Sequence, residues 1–328
     1  MMVPDVPHPY RALQLTTGTL HTCALLENHQ IKCWGQNDYG QLGLGDKNWR
    51  GSDASSMGDA LPFVQLGTGR SAKAVAAGRY STCAVLDNDT VKCWGWRVLL
   101  DSSSLVSQSS IGDEPGEMGD ALQPIPLGPG RTVKSVALAD GNACVAQDDS
   151  SFLCGTYGGG RNFYAPLTSS PLLSLAGGGG LYGLFADGSA WSVPAGPGHI
   201  VASGAVSVAS GYGVVCVVLL GGRAHCSSQL QEGVDRFGNV KELSIGAFGG
   251  VCAIDPAGMV RCNPTSVEPL SAPAVALPSG ALGYHCALLT DGGVECWDGP
   301  TPPHAPGTGD ASVAGVRRVN LGRTPAAK

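Results

Sequence analysis

The sequence contains few charged residues. Asp, Glu, Lys and Arg make up 14% of its 328 residues, against about 25% in an average globular protein. The 20 basic and 26 acidic residues give a net charge of -6, and the basic residues form no block. Because a nucleic-acid surface needs clustered cations that displace phosphate counterions, we expect no nucleic-acid partner.

Long hydrophobic runs are also missing. The longest ones, such as residues 214–220, are far shorter than the roughly 20 apolar residues that a membrane helix needs. We therefore expect no membrane span. Residues 1–20 likewise lack the basic head and apolar stretch of a secretory leader.

Motifs of catalysis and metal binding are absent too. The sequence has no Gly-x-Ser-x-Gly elbow, no His-Glu-x-x-His pair and no Gly-Lys-Ser/Thr phosphate loop. We expect no enzymatic activity, no cofactor and no metal. The acidic residues 112–120 could offer carboxylates to Ca²⁺, but they lack the every-second-residue ligand series of a calcium loop. A solvated surface is the favoured interpretation, and calcium stays an alternative.

Cysteine and glycine, in contrast, are abundant, with 12 and 49 residues. All the cysteines fall into six pairs of one spacing: Cys23 and Cys33, Cys83 and Cys93, Cys144 and Cys154, Cys216 and Cys226, Cys252 and Cys262, Cys286 and Cys296. A hairpin with a three-residue loop centred on Asn28 places Cys23 directly opposite Cys33. The Cα atoms of such a pair lie about 4.5 Å apart, within disulfide range. We predict six structural disulfides, with reduced buried thiols as the alternative.

The cysteine pairs mark a repeat. The long gap between the third and fourth pairs contains a similar hairpin without cysteine, in which Tyr182 and Ser192 take the cysteine positions. There are thus seven hairpins, near residues 21–35, 81–95, 142–155, 181–193, 214–227, 250–263 and 284–297. Alternating stretches upstream, such as 62–66 and 72–78, bring each repeat to four short strands.

Seven four-stranded units predict an all-β fold, a single seven-bladed β-propeller over residues 1–328. The N-terminus begins directly with an inner strand and has no outer strand before it. Residues 316–322 near the C-terminus resemble residues 64–70. We expect this C-terminal strand to complete the first blade by pairing with the N-terminal strands, which removes free sheet edges.

Two connections are unusually long, residues 36–61 and 96–123, and share a Met-Gly-Asp-Ala-Leu element. Long ordered loops are often functional, and aromatic, Met and Arg residues are enriched at interfaces. We take these inserts as the partner-binding side of the ring, with packing on the propeller face as the alternative. The candidate contact residues are Trp49, Arg50, Met57, Asp59, Glu117, Met118 and Asp120.

The hairpins also carry a resemblance. Cys-Ala-Leu, a turn and Cys-Trp-Gly, followed by Gln36-Asn-Asp-Tyr-Gly-Gln-Leu-Gly-Leu-Gly-Asp46, resemble the regulator of chromosome condensation repeat family. The resemblance implies a seven-bladed propeller. It implies little about activity, because this fold serves nucleotide exchange on a small GTPase, β-lactamase inhibition, ultraviolet perception and scaffolding. The paired cysteines look like those of secreted relatives.

Disulfides persist in oxidising compartments, so we expect an extracellular or cell-surface protein whose leader lies outside this sequence. Asn88-Asp-Thr90 is a glycosylation sequon at a hairpin tip. The favoured function is a non-enzymatic interaction or assembly scaffold for a protein partner, with a glycan as the alternative ligand. The rival is a regulator of an enzyme, either a propeller-face inhibitor or a GTPase exchange factor.

Overall fold

The computed structural model describes residues 8–96, 110–139, 142–156, 160–165, 168–193, 200–211, 213–227, 234–246, 250–263, 269–279, 284–298 and 317–324. In these ranges the chain is all-β, as predicted, with seven antiparallel sheets and three short 3-10 turns at Ala54–Ser56, Gly58–Ala60 and Asp235–Phe237. None of the described helices has the length and apolar composition needed to span a bilayer.

The seven sheets follow each other along the chain, and their strands are numbered in sequence order. The first four sheets contain β1 (Ala12–Thr17), β2 (His21–Leu26) and β3 (Ile31–Gly35); β4 (Ala72–Ala77), β5 (Ser81–Leu86), β6 (Val91–Trp96) and β7 (Ser110–Ile111); β8 (Val133–Ala139), β9 (Asn142–Gln147), β10 (Phe152–Thr156) and β11 (Gly160–Tyr164); and β12 (Leu172–Ala176), β13 (Leu181–Phe185), β14 (Ala190–Val193) and β15 (Ile200–Ala202). The last three contain β16 (Ala205–Gly211), β17 (Val214–Leu219) and β18 (Ala224–Cys226); β19 (Glu242–Ile245), β20 (Val251–Ile254) and β21 (Val260–Asn263); and β22 (Ala274–Ala276), β23 (Tyr284–Leu289), β24 (Val294–Asp298) and β25 (Arg317–Arg318).

The first segments of all seven sheets surround one central cavity of about 210 Å³. It is lined by parts of β1, β4, β8, β12, β16 and β19 and by residues 277–279, which follow β22. This arrangement is that of blades around a channel. The apolar core lies between neighbouring sheets, where the indoles of Trp34 and Trp94 are fully buried.

One turn geometry recurs in the central hairpin of every sheet. In the first sheet the Leu26 N–H donates to the carbonyl oxygen of Gln30 at 2.9 Å, and the His29 N–H donates to that of Leu26 at 2.8 Å. The loop thus has three residues, and the third lies in the left-handed region. The equivalent residues with positive φ are His29, Asp89, Ser150, Gly188, Gly222, Gly258 and Gly292. The pattern is that of a type I turn followed by a glycine-type bulge, except in the fifth sheet, where Gly221 also has a positive φ of 92°.

The turn fixes the register of the cysteines. Residues on either side of the three-residue loop face each other, so that Cys23 lies directly opposite Cys33. All six cysteine pairs are joined by disulfides, with Cα–Cα distances of 4.0 to 4.1 Å. In the fourth sheet the same register pairs Tyr182 with Ser192.

The C-terminal strand belongs to a different sheet from the one we expected. We placed residues 316–322 in the first sheet, but β25 pairs with β24 of the seventh. The outer segments lie against the hairpin before them: the Val64 N–H donates to the Ile31 oxygen at 2.9 Å, and the Val319 N–H donates to the Val294 oxygen at 2.8 Å. The C-terminal stretch follows the same rule with the last hairpin.

Contact between the chain ends does occur, just beyond β25. Pro9 and Arg323 form an antiparallel bridge, and the Tyr10 N–H donates to the Gly322 oxygen at 3.0 Å. In the next connection, the Arg70 N–H donates to the Gly67 oxygen at 3.1 Å in the same manner. The two termini together therefore replace the continuous chain that joins the other neighbouring sheets.

The fourth hairpin should accept an engineered disulfide. The double substitution Tyr182→Cys with Ser192→Cys should form a seventh disulfide, because the two positions are paired as the natural cysteines are. We expect about 2 kcal/mol of added stability from the short loop that it closes. Peptide mapping and denaturant unfolding test this, with Tyr182→Ala plus Ser192→Ala as the matched control. Free thiols at both positions in the folded protein contradict the register.

Candidate functional site

The two long inserts pack against each other. The Gly45 N–H donates to the Gly112 oxygen at 3.1 Å, and the Lys47 ammonium lies 3.0 Å from the Asp113 carboxylate. Of the second insert, residues 97–109 lie outside the described residues. We call residues 36–50 and 110–118 together the insert surface.

The insert surface is held by polar groups that are partly buried. Burial disfavours the charged form of Asp113, but hydrogen bonds from Ser110 and Lys47 outweigh this effect and keep its pKa below the usual value. Asn37 is fully buried; its Nδ2 donates to the Asp46 oxygen at 2.6 Å, and its Oδ1 accepts the Leu42 N–H at 2.9 Å. The first insert is therefore an ordered structure with its own hydrogen bonds.

Trp49 is the exposed aromatic residue of this surface. Its side chain is 52% exposed, yet its orientation is fixed, because Nε1 donates to Asp38 Oδ1 at 2.8 Å. The other Asp38 oxygen accepts from Gln36 Nε2 at 2.5 Å. Arg50, the next residue, binds Asp46 at 2.7 Å and pairs with Gly35 through its backbone. The indole thus projects from a rigid base.

A cluster of aromatic rings lies beside this base on the same face of the ring, opposite the hairpin turns. Tyr39, Tyr80 and Trp96 are half-buried, with ring centroids 5.2 to 5.9 Å apart. The guanidinium of Arg79 lies 5.1 Å from the centre of the Tyr80 ring. Sequence analysis missed this cluster, although Trp96 stands out directly after Trp94-Gly95.

Glu117 stabilises a turn within its own insert. Its Oε2 accepts three consecutive backbone N–H groups, from Gly112 at 2.7 Å and from Asp113 and Glu114 at 3.1 Å each. A carboxylate that accepts several amides stabilises the turn that presents them. Two of the carboxylates that we considered for calcium, Glu117 and Asp113, are thus engaged in internal contacts, and within the described ranges no three His, Cys, Asp or Glu residues are grouped to hold a metal ion.

The two Met-Gly-Asp-Ala-Leu elements also make contacts within the ring. Met57 is 4% exposed and packs in the cluster where the first and last sheets meet, and Met118 is partly buried against the cluster that contains Trp94. Asp59 accepts the Arg323 N–H at 2.8 Å. Asp120 accepts the N–H and hydroxyl of Thr68 at 2.8 and 2.6 Å, and these hydrogen bonds lower its pKa.

A buried lysine connects each of these elements to the ring. Lys32 Nζ donates to the oxygens of Gly58 at 2.7 Å and Leu321 at 3.0 Å. Lys92 Nζ donates to those of Gly119 at 2.8 Å and Leu66 at 3.0 Å. Burial lowers the pKa of both ammonium groups. Of the seven candidate contact residues, Trp49 therefore has the largest exposed apolar surface, whereas Met57, Asp59, Glu117 and Asp120 support the fold.

The buried histidines are packing residues. The Thr82 hydroxyl donates to the Gln41 oxygen at 2.9 Å, so it accepts from His21 Nε2, which lies 2.9 Å away. His21 is therefore a neutral Nε2–H tautomer, and burial lowers its pKa to about 3. His285 stacks on Trp297, and burial lowers its pKa to about 4.

Comparison with known proteins shows which part of the chain matches a known repeat family. Two family models of the regulator of chromosome condensation (RCC1) repeat match residues 13–41 and 30–85. The Ultraviolet-B receptor UVR8 of Arabidopsis thaliana is 34% identical over 91 residues, which are 27% of this chain and 18% of that receptor. The chain thus matches about a fifth of the length of this relative.

The fold has wider likenesses. The ectodomain of the Physcomitrella patens receptor kinase CR4 superposes with a TM-score of 0.59 at 19% identity, over 91% of this chain and 76% of that one. Prp20p from Saccharomyces cerevisiae, whose structure was described with its binding to Gsp1p and histones, gives a TM-score of 0.52 at 14% identity, over 96% and 76%. At these identities the likeness concerns the propeller fold.

The amide contacts of Glu117 predict local opening when they are weakened. Glu117→Gln should speed hydrogen exchange at the amides of residues 112–114 roughly fivefold, because hydrogen bonds to a charged acceptor exceed neutral ones by about 1 kcal/mol. Exchange mass spectrometry measures this directly. Glu114→Gln is the matched control, because that side chain is exposed and its contact with the Lys47 ammonium is long, at 3.8 Å. Equal exchange in both variants contradicts the assigned role.

Proposed function

We propose that this propeller, which carries regulator of chromosome condensation repeats in residues 13–85, is a non-enzymatic extracellular or cell-surface scaffold that binds a protein partner. The observation that carries this proposal is Trp49, an exposed indole that the Asp38 carboxylate holds in place. Rigid exposed aromatic residues are typical binding hot spots, because little conformational entropy is lost on binding.

The surroundings of Trp49 support a protein partner over a glycan. Arg50, Arg79 and the half-buried Tyr39 and Trp96 provide the mixture of aromatic and Arg side chains that is enriched at protein interfaces. Exposed charged groups such as Lys47 and Glu114 belong to the same insert surface. A glycan stays the alternative ligand, since aromatic faces also bind sugars by stacking.

The disulfides support the compartment. Six bridges persist where thiols are oxidised, outside the cell or on its surface. The similar fold of the CR4 receptor kinase belongs to an ectodomain, and we propose an extracellular location for this chain as well.

The alternative function is regulation of an enzyme through a propeller face. The aromatic cluster Tyr39, Tyr80 and Trp96 at one rim favours an inhibitor. All 12 cysteines are bridged, which argues against a GTPase exchange factor, because such a factor works in a reducing compartment.

Replacement of the indole tests the binding face. Cross-linking to proteins of the native cell surface should yield a defined partner with the wild-type protein and lose it with Trp49→Ala, since truncation of a hot spot costs about 2 kcal/mol or more. Titration with the purified partner should then show an affinity reduced about thirtyfold.

The matched control is Leu220→Ala, which removes an apolar side chain that is 83% exposed at a hairpin turn on the opposite face. This variant should bind like the wild type. If both variants keep the partner, the insert surface is not the binding face. If the purified partner is an enzyme that the protein slows, the inhibitor alternative is the correct one.

Asn88 is a second proposed feature of an extracellular protein. Its side chain is exposed at a hairpin turn, and its Oδ1 accepts the Thr90 hydroxyl at 2.7 Å, which leaves Nδ2 directed away from that bond. We propose that this amide carries an N-linked glycan. The equivalent Asn28 has Gln30 in place of the threonine, and its Oδ1 accepts only a backbone N–H there, at 3.1 Å.

Secretion from eukaryotic cells with an added leader tests the sequon. The wild-type protein should carry one glycan that an amidase removes, Asn88→Gln should carry none, and Gln30→Thr should gain a second one at the matched turn. An unmodified wild-type protein, secreted together with a modified Gln30→Thr variant, would show that Asn88 is not an acceptor.

A further inference from the structure

Among the described residues that line the central cavity, one has an ionisable side chain, Glu242 of β19. The remainder of the lining is apolar, hydroxylated or amidic, as with Thr16, Ser207 and Gln14. At about 210 Å³ the cavity is smaller than the roughly 300 to 1,000 Å³ of drug-sized sites. It has room for a short chain of atoms and not for a nucleotide or a sugar chain.

The position of Glu242 is set by the repeat. It pairs with Ile254, two residues after the first cysteine of its hairpin, as Gln14 pairs with Leu25 in the first sheet. The other five sheets have neutral residues at this register position: Ala74, Ser135, Ser174, Ser207 and Ala276. A negative charge is thus introduced at one of seven equivalent register positions, and of these seven residues Gln14, Ser207 and Glu242 line the cavity.

Gln14 shows which hydrogen bonds a side chain at this position can make to the next sheet. Its Oε1 accepts the Val75 N–H and its Nε2 donates to the Val75 oxygen, both at 3.0 Å, which ties the first sheet to the second. Glu242 Oε1 accepts the Leu277 N–H at 2.9 Å, the equivalent of the first bond. A carboxylate has no donor for the second bond. For structure alone, glutamine is the better residue at position 242.

Apart from the neighbouring Lys241, no charged side chain lies close to this carboxylate on the described elements that pack against it. The elements packed against it, β16, β20 and residues 274–279, contain no charged residue. Burial raises the pKa of Glu242, while the Leu277 N–H and the exposed Lys241 next to it act in the opposite direction. The charge is therefore costly, and a cation entering the cavity would remove that cost.

We propose that the central cavity binds the ammonium group of a primary amine, with Glu242 as its carboxylate partner. An ammonium group has three donors, and the lining of the cavity offers the Glu242 carboxylate together with hydroxyl and backbone oxygens. The small volume and the lone carboxylate both fit a short alkyl chain that ends in one positive charge. That chemistry belongs to a free alkylamine and to the lysine side chain of a protein partner.

Nuclear magnetic resonance of the Leu277 amide tests the proposal, because this N–H binds the Glu242 carboxylate directly. At neutral pH and about 150 mM salt, n-propylamine should shift the Leu277 signal in a saturable manner. Tetramethylammonium, which has the charge but no donor, should leave it unchanged. In a pH titration, propylamine should lower the midpoint of the Leu277 signal, because the ammonium group favours the ionised carboxyl.

Glu242→Gln is the matched variant, since it reproduces the residue of the first sheet. It should bind propylamine roughly tenfold more weakly or worse. It should also unfold at higher denaturant concentration than the wild type at neutral pH. The sign follows from the raised pKa: the folded state binds more protons than the unfolded state, so the cost of Glu242 is present at high pH and disappears as pH falls below the unfolded value.

The two sources of the ammonium group are separated with N-acetyl-lysine amide. Saturable binding of this probe along with propylamine assigns the cavity to a lysine side chain of a partner, and binding of propylamine alone assigns it to a free amine. Equal binding to the wild-type protein and Glu242→Gln, or no shift of Leu277 with either amine, overturns the proposal. Glu242→Asp, which keeps the charge, should retain part of the binding.

Discussion

The geometry of one turn determines most of this structure. Because each central hairpin has a three-residue loop whose last residue is left-handed, positions on its two strands face each other in a fixed register. That register places the two cysteines of each pair opposite each other in six sheets. It also pairs the inner strand of each sheet with equivalent residues of the hairpin. Four sheets use glycine at the left-handed position, whereas His29, Asp89 and Ser150 accept a conformation that costs roughly 1 kcal/mol. Disulfides in the same hairpins constrain the chain against that cost.

The sequence was sufficient to predict the hairpins, but it was insufficient to assign the outer strands to their sheets. Hairpin register depends on residues close in the chain, so spacing alone predicted the pairing of Cys23 with Cys33 and of Tyr182 with Ser192. An outer segment such as residues 62–66 stands between two hairpins, and its alternation does not tell which of them it follows. The bond from Val64 to Ile31 settles this in favour of the preceding hairpin. The same ambiguity explains why we placed residues 316–322 in the first sheet.

The inserts illustrate a different limit. Their length and their duplicated Met-Gly-Asp-Ala-Leu element suggested a function in binding, but duplication is equally expected of a structural device. Lys32 bonds to Leu321, which is 289 positions away, and no local pattern indicates that contact. A lysine in a strand normally indicates a solvated face, yet Lys32 and Lys92 are buried because carbonyl oxygens from two segments surround each ammonium group. Much of the element therefore stabilises the ring.

Comparison of equivalent positions separates structural residues from functional candidates better than loop length does. Residues that recur with the same contacts, such as Lys32 and Lys92 or Asp59 and Asp120, are explained by the connections between neighbouring sheets. Trp49 and Glu242 are not explained in this way, because one leaves an indole exposed and the other places a carboxyl where an amide fits better. Both features cost free energy in the isolated protein. They lie in different parts of the ring, one on the insert surface and one in the channel wall, so each can be changed without touching the contacts of the other.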